Sequence, residues 1–352
     1  MSTMSIGLSM FGAMLVLMAV RVPIAISMFV PGAVGYMALA GWLPLLSHLK
    51  GAVYSRVSIY DLSVIPLFML MGAFAVHGGL SKALFDFANA LLGRFKGGMA
   101  MAGVLACAAF GSISGSTVAT TATIAQVAYP EMRRINYSGR LATAALATGG
   151  TMGVLLPPSV TLMVYAILTE QNITKMFLAA YIPALIAAVG YLIAIAVIVR
   201  IHPDQAPQAK AATASELMTT AVNVWPIAAI FLVVFGGIYG GVFTATEGAA
   251  IGNVLTFAIT LLRREMTFDK LVASIRTTAQ TSGMIFLIFI GADMINASLA
   301  LSQLPAQLAD MVGHLQISPL VVMAGIMIFY IILGCVMDEM SMILLTVPTL
   351  FP

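Results

Sequence analysis

Between Lys96 and Glu131, and again between Arg140 and Glu170, the chain carries no charged residue. Both stretches have the apolar character of bilayer spans, yet they are crowded with hydroxyls and helix breakers. The first holds GSISGSTVATTAT (111–123), with Ser112, Ser114, Ser116, Thr117, Thr120, Thr121 and Thr123. The second holds GGTMGVLLPPS (149–159), with Gly149, Gly150, Gly153, Pro157 and Pro158. Irregular backbone at membrane depth survives only where it is buried in protein or lines a water-filled cavity, because lipid satisfies no N–H or C=O. Helices interrupted near the midplane are how secondary transporters hold substrates and coupling ions. Residues 111–159 therefore read as a transport site.

The rest of the chain supports that reading. Its 352 residues are 61% hydrophobic and 8% charged, against about 25% charged in a soluble domain. Apolar runs near the ~20 residues needed to span hydrocarbon recur along the whole length, so the expected fold is an all-α polytopic membrane protein. A β-barrel would show short alternating segments instead. The net charge of +3 is spread over short loops and does not suggest nucleic acid. The first apolar run, 6–20, has no basic flank and leads into a second span, which marks a retained helix and not a cleaved signal. Cys107 and Cys335 lie in apolar runs without metal-type spacing and read as small buried hydrophobes.

Taken in order, spans are expected at 6–20, 24–40, 61–78 and 98–110, with an interfacial stretch at 41–56. An amphipathic arm at 80–96 sets Leu80, Leu84, Phe87 and Leu91 against Lys82, Asp86 and Arg94. The hydroxyl-rich piece turns back as a re-entrant hairpin, 111–130. A span broken at 149–158 follows, then a crossing at 176–200 and a polar Ala/Pro-rich linker around 202–216. The second half has spans at 224–240, 246–262, 281–298 and 318–335, arms at 267–280 and 300–315, and a last segment, 335–352. On this path 13 of the 16 Lys and Arg residues fall on one side, leaving Lys50, Arg56 and Lys175 on the other. The positive-inside rule makes the first side cytoplasmic, the linker included, and puts the N-terminus outside. The same count requires the hairpin to re-enter. The two halves also look alike: PLFMLMGA (66–73) before the first arm matches FLIFIGAD (286–293) before the arm of the second half. With the hairpins starting from opposite faces, this is an inverted repeat.

The stretches SGSTVATTATIAQVAYPEMRR (114–134), LATAALATGGTMGVLLPPSVTLMVYAILTEQNI (141–173) and GGIYGGVFTATEGAAIGNV (236–254) resemble the large membrane subunit of the tripartite ATP-independent periplasmic (TRAP) transporters. The resemblance implies an elevator-type transporter with a static scaffold and a mobile domain built around two hairpins. It implies sodium-coupled import of a small carboxylate, such as a C4-dicarboxylate or sialic acid, across the bacterial inner membrane. It also implies two partners, a periplasmic binding protein and a small four-helix membrane subunit, with Na+ as coupling ion and no other cofactor. On this basis the chain divides into scaffold helices and arm (1–60), a first transport repeat (61–200), the linker (201–222), scaffold helices and arm again (223–280), and an incomplete second repeat (281–352). Two departures stand out. Thr244-Ala245-Thr246-Glu247 replaces the family's Thr-Pro-Thr-Glu, expected to remove a mild kink. The chain also ends at Pro352, before a second Gly- and Pro-rich break, so a C-terminally truncated chain that does not transport alone is expected.

The residues expected at the ion site are Ser114, Ser116, Gly150, Thr151, Gly153 and Pro157. Serine hydroxyls would supply ligands, and so would the carbonyls left unpaired one turn before Pro157-Pro158. Thr117, Thr120, Ser159, Asp338 and Ser341 are expected to face the substrate. Each has a plainer reading. Serine and threonine in apolar helices often bond back to the preceding turn, and a Pro-Pro break can be a kink whose carbonyls another helix uses. Glu247 and Asp293 are balanced between function and a position near the outer ends of their spans. Two rival classes are a structural membrane subunit without its own site and an intramembrane hydrolase. The latter lacks a base: GSISG is not GxSxG, and His48, His77, His202 and His314 lie in arms, linker or span ends. No Walker A pattern is present, so ATP is not consumed on this chain.

Overall fold

The structure is a computed structural model that describes residues 3–207, 212–307, 310, 318–335, 337 and 339–350. Its α-helices are α1 (Thr3–Ala19), α2 (Ile24–Ala40), α3 (Trp42–Val57), α4 (Val64–His77), α5 (Leu80–Leu92), α6 (Gly98–Ser114), α7 (Thr117–Arg134) and α8 (Gly139–Gly150). They continue with α9 (Met152–Leu155), α10 (Val160–Leu168), α11 (Ile173–Ile201), α12 (Ala214–Tyr239), α13 (Ala245–Leu262), α14 (Phe268–Ser302), α15 (Pro319–Gly334) and α16 (Glu339–Leu350). There is no strand among the described residues. Among the described residues, six helical stretches are long and apolar enough to cross a membrane: 60–77, 139–168, Ile173–Ile201, Ala214–Tyr239, Ala245–Leu262 and Phe268–Ser302. The chain is an all-α, multi-pass membrane protein.

Two compact units form. One comprises residues 1–62, 167–170 and 280–352; the other comprises 63–166 and 171–279. The hydroxyl-rich hairpin and the broken span both belong to the second.

Helix ends follow local chemistry. At Arg21, Asn136, Glu170, Arg264 and Gly241 the chain enters the left-handed region, with φ between 52° and 72°. At each, the next amide bonds back five residues, as Tyr137 N–H does to the Met132 carbonyl at 3.0 Å. This is the Schellman stop. Starts are equally explicit. Thr213 with Glu216 and Thr244 with Glu247 form capping boxes on α12 and α13. Glu247 accepts from the Thr244 amide at 2.8 Å and its hydroxyl at 3.0 Å, so this carboxylate has a helix-capping task. Ala245 is the first residue of α13, where a proline is accommodated without bending the helix. The expected loss of a kink is thus a change at a helix start.

On α11 the side chains of Leu178, Ile182, Leu185, Ile186, Val189 and Ile193 are exposed. A stripe of that kind is tolerable only against lipid or another apolar partner. The separate arm at 267–280 and span at 281–298 are replaced by one helix, α14, of 35 residues. No Pro interrupts 268–302, and the only Gly residues are Gly283 and Gly291. Nothing in the sequence stops the ladder, which runs for about 52 Å at 1.5 Å per residue. The arm expected at 300–315 is described only through residue 307 and at 310, where α14 already claims 300–302.

Asp293, in the last third of α14, is paired. His48 Nε2 of α3 lies 3.3 Å from its Oδ2, an ion-pair distance off the line of a hydrogen bond. The Tyr36 ring of α2 stacks on the imidazole at 5.3 Å. A carboxylate in an apolar span is costly to leave alone, and the imidazole offsets part of that cost.

Candidate functional site: a hairpin tip against a broken helix

α6 stops at Ser114 because Gly115 turns left-handed (φ 61°, ψ 15°), sending its amide back to the Gly111 carbonyl at 2.8 Å. Ser116 is extended and caps α7, accepting from the Ala119 amide at 3.4 Å. The two helices are antiparallel, as a Cβ on Gly103 would touch Met132 while Ser114 meets Thr120. Residues 111–130 therefore occupy the tip of a longer hairpin whose limbs extend over 98–134.

The base of that hairpin is fastened by a side chain that the sequence reading did not single out. Tyr137 is fully buried, and its phenol accepts from the Met99 amide at 3.3 Å in the first turn of α6. Burial raises the phenol above its usual range, against the pull of the Met99 and Ala100 amides, which keeps it protonated. Arg133 Nη1 donates to the Tyr137 carbonyl at 2.8 Å.

The broken span lies alongside. α8 ends at Gly150, α9 makes one turn, Leu156 is extended, and Pro157-Pro158 lead into α10. Ser159 is fully buried and its hydroxyl caps α10 by accepting from the Leu162 amide at 3.2 Å. Contact between break and hairpin is backbone on backbone. A Cβ on Gly111 would stand 2.5 Å from Gly153 Cα, and one on Gly153 would stand 2.9 Å from the Ser116 carbonyl and 2.8 Å from Thr120 Oγ1. A Cβ on Gly115 would stand 2.8 Å from the Pro158 carbonyl. From α4, Gly72 presses equally close to Ser114 Cα.

Neutral oxygens gather there. Ser114 Oγ and Thr120 Oγ1 lie 2.6 Å apart, both buried, with the Ser116 carbonyl beside Gly153 and the Pro158 carbonyl beside Gly115. Among the described residues no group of three His, Cys, Asp or Glu is placed to hold a metal. Hydroxyl and carbonyl oxygens of this kind suit a hard cation and are a poor set for a transition metal.

The sequence-derived residues divide as follows. Ser114, Ser116, Thr120, Gly150, Gly153, Pro157 and Ser159 all belong to the hairpin or the break, Gly150 pressing on the Thr121 side chain. Thr117 opens α7, half-buried, with its carbonyl accepting from Thr121 Oγ1 at 2.8 Å. Thr151 is exposed; its hydroxyl reaches the Thr148 carbonyl at 2.7 Å and the Tyr191 hydroxyl of α11 at 3.1 Å, away from the hairpin tip. Ser112 bonds the Ala109 carbonyl at 2.7 Å, the plain backbone-satisfying use. Ser341 is fully buried on α16, its hydroxyl without a hydrogen-bond partner among the described residues, in the other unit. Asp338 lies outside the described residues.

A multi-pass helical bundle with a glycine-packed hairpin against an interrupted span is the build of a secondary transporter. Residues 11–352 match the family model of the tripartite ATP-independent periplasmic transporter, DctM component. The chain belongs to this family. It is similar to the C4-dicarboxylate TRAP transporter large permease protein DctM of Pseudomonas aeruginosa, 32% identical over 83% of this chain and 68% of that protein. It also resembles the 2,3-diketo-L-gulonate TRAP transporter large permease protein YiaN of Escherichia coli, 30% identical over 97% of this chain and 80% of that one. The isethionate TRAP transporter permease protein DctMQ of Oleidesulfovibrio alaskensis is 28% identical over 97% of this chain and 54% of its own length. These relatives are named as permeases and not as enzymes, so the chain is a transporter permease.

Proposed function

We propose that this chain is the large permease subunit of a sodium-coupled importer of a small organic acid in the bacterial inner membrane. The observation that carries the reading is the close approach of Gly153 to the Ser116 carbonyl and the Thr120 hydroxyl. It leaves a compact set of neutral oxygens at a hairpin tip. Sodium would take the Ser114 and Ser116 hydroxyls and carbonyls of the break around Gly150–Pro157. The substrate carboxylate would meet Thr117, Thr120 and the N-terminus of α7, where backbone dipoles favour an anion without a buried cation. Ser159 carries the same proposed role beside the break, and in the second half Ser341 and Asp338 carry it. The names of the relatives, which specify C4-dicarboxylate, a diketo-gulonate and isethionate, support a small acid as cargo. A periplasmic binding protein would deliver it and a small four-helix membrane subunit would accompany this chain, as the DctMQ name suggests. The linker would face the cytoplasm and the N-terminus the periplasm.

The assembled transporter in proteoliposomes tests this. Uptake of labelled succinate, 2,3-diketo-gulonate or isethionate should require inward sodium and should increase with an inside-negative potential, each net charge moved gaining about 2.3 kcal/mol per 100 mV. Equal uptake in potassium-only buffer would end the sodium reading.

A further inference from the structure

Away from the hairpin tip, α5, α6 and α12 enclose a groove of about 470 Å³. Leu84 and Phe87 come from α5, Leu105 and Ile113 from α6, and Val224 and Leu232 from α12. Its single hydroxyl, Ser112, is already spent on the Ala109 carbonyl. The walls offer a polar ligand nothing and favour a hydrocarbon chain. From Val224 to Leu232 the groove runs for about 12 Å at 1.5 Å per residue. A stretch of extended acyl chain matches an apolar groove of this length.

The groove also has a chemically marked end. Asn223 precedes Val224, and its carbonyl accepts from the Arg263 guanidinium. Arg264 follows, held in the left-handed turn that ends α13. Glu265, next in the chain to Arg264, pairs with Lys270 at 3.6 Å. At the same level Trp225 is exposed, the residue type that gathers where hydrocarbon meets headgroups. An apolar groove that opens at an interfacial tryptophan beside two arginines complements an anionic lipid, its tail inside and its phosphate outside.

We propose that the α5–α6–α12 groove is a binding site for one acyl chain of an anionic phospholipid, whose phosphate is held by Arg263 and Arg264. The groove lining reaches Ser112 and Ile113, immediately before Ser114, so the lipid tail packs on the same helix that carries the hairpin tip.

Native mass spectrometry of the detergent-purified permease tests this with palmitoyl-oleoyl phosphatidylglycerol and the matched phosphatidylethanolamine. Phosphatidylglycerol should bind about fivefold or more tightly, the effect of at least one basic residue at a membrane surface. Arg263→Gln with Arg264→Gln should erase that preference, while Arg263→Lys keeps most of it. Ala228→Phe, which fills the groove wall, should weaken both lipids alike. Thermal unfolding of each variant checks that the fold is retained, and Ala228→Leu serves as the milder filler if the Phe variant fails. Equal affinity for the two lipids would overturn the proposal. So would a preference that survives the double Gln variant, or binding unaffected by either filler.

Discussion

The hydroxyl oxygens of Ser114 and Thr120 lie 2.6 Å apart across the turn of the α6–α7 hairpin. Neither residue bonds back to its own helix through this contact, in contrast to Thr121, Thr143 and Thr148, whose hydroxyls satisfy carbonyls one turn earlier. A hydroxyl pair buried at a helix junction can rotate to present lone pairs to a cation, whereas a back-bonded hydroxyl is already committed.

Packing at Gly153 is the sharpest test of the geometry. Gly153→Ala places a methyl group 2.8–2.9 Å from the Ser116 carbonyl and Thr120 Oγ1, too close without a shift of hairpin or break. Overpacking of this kind costs about 1–3 kcal/mol. The expected result is a lower unfolding temperature and a loss of sodium-dependent uptake, with membrane insertion kept. Gly190→Ala, in open space on α11, should leave both unchanged.

Tyr137→Phe removes the acceptor of the Met99 amide at the start of α6. A buried donor left unpaired costs about 1–3 kcal/mol. The variant should unfold earlier by thermal shift and exchange its α6 amides faster. An unchanged melting curve would mean that the hairpin base is held by other contacts.

The His48–Asp293 pair should behave as a coupled unit. Asp293→Asn or His48→Gln alone should destabilise the chain, and the double variant should lose less than the sum, because neither partner is stranded. Additive losses would contradict the pairing.

What was legible in the sequence, and what was not, divides along physical lines. Charge-free runs and apolar periodicity are local in sequence, so the helical, multi-pass character could be read directly. Gly115 and Pro157-Pro158 also announced their breaks, since an αL turn and a missing amide are properties of single residues. Glu247 is readable as the end of a Thr-x-x-Glu cap, a third use beside the function and the outer-end position between which its apolar surroundings leave it balanced. The α14 arm and span were separated because polarity changes near residue 280, although backbone hydrogen bonding does not respond to polarity. Thr151 could not be oriented from sequence, since its hydroxyl is turned to Tyr191, forty residues on. His48 meeting Asp293 is a contact between distant segments of chain that no periodicity encodes.

Orientation is testable at the two ends of α11, 29 residues and about 44 Å apart. Gln171 and Asp204 are both exposed. In intact cells an impermeant thiol reagent should label Gln171→Cys and spare Asp204→Cys, with the reverse in inverted vesicles. Labelling of residue 204 from outside would refute the assigned orientation.

The central claim is that Ser114, with its hydroxyl partner Thr120, Ser116 and the Gly150–Pro157 break together form the sodium site, Thr120 acting on it through Ser114. The most direct measurement is the sodium concentration for half-maximal uptake by the assembled transporter, for the natural sequence, Ser114→Ala and Thr120→Val. Loss of one hydroxyl ligand or its partner, worth about 1 kcal/mol, should raise that concentration roughly fivefold, while protein level and membrane insertion stay the same. A sodium requirement identical in all three proteins would contradict the account.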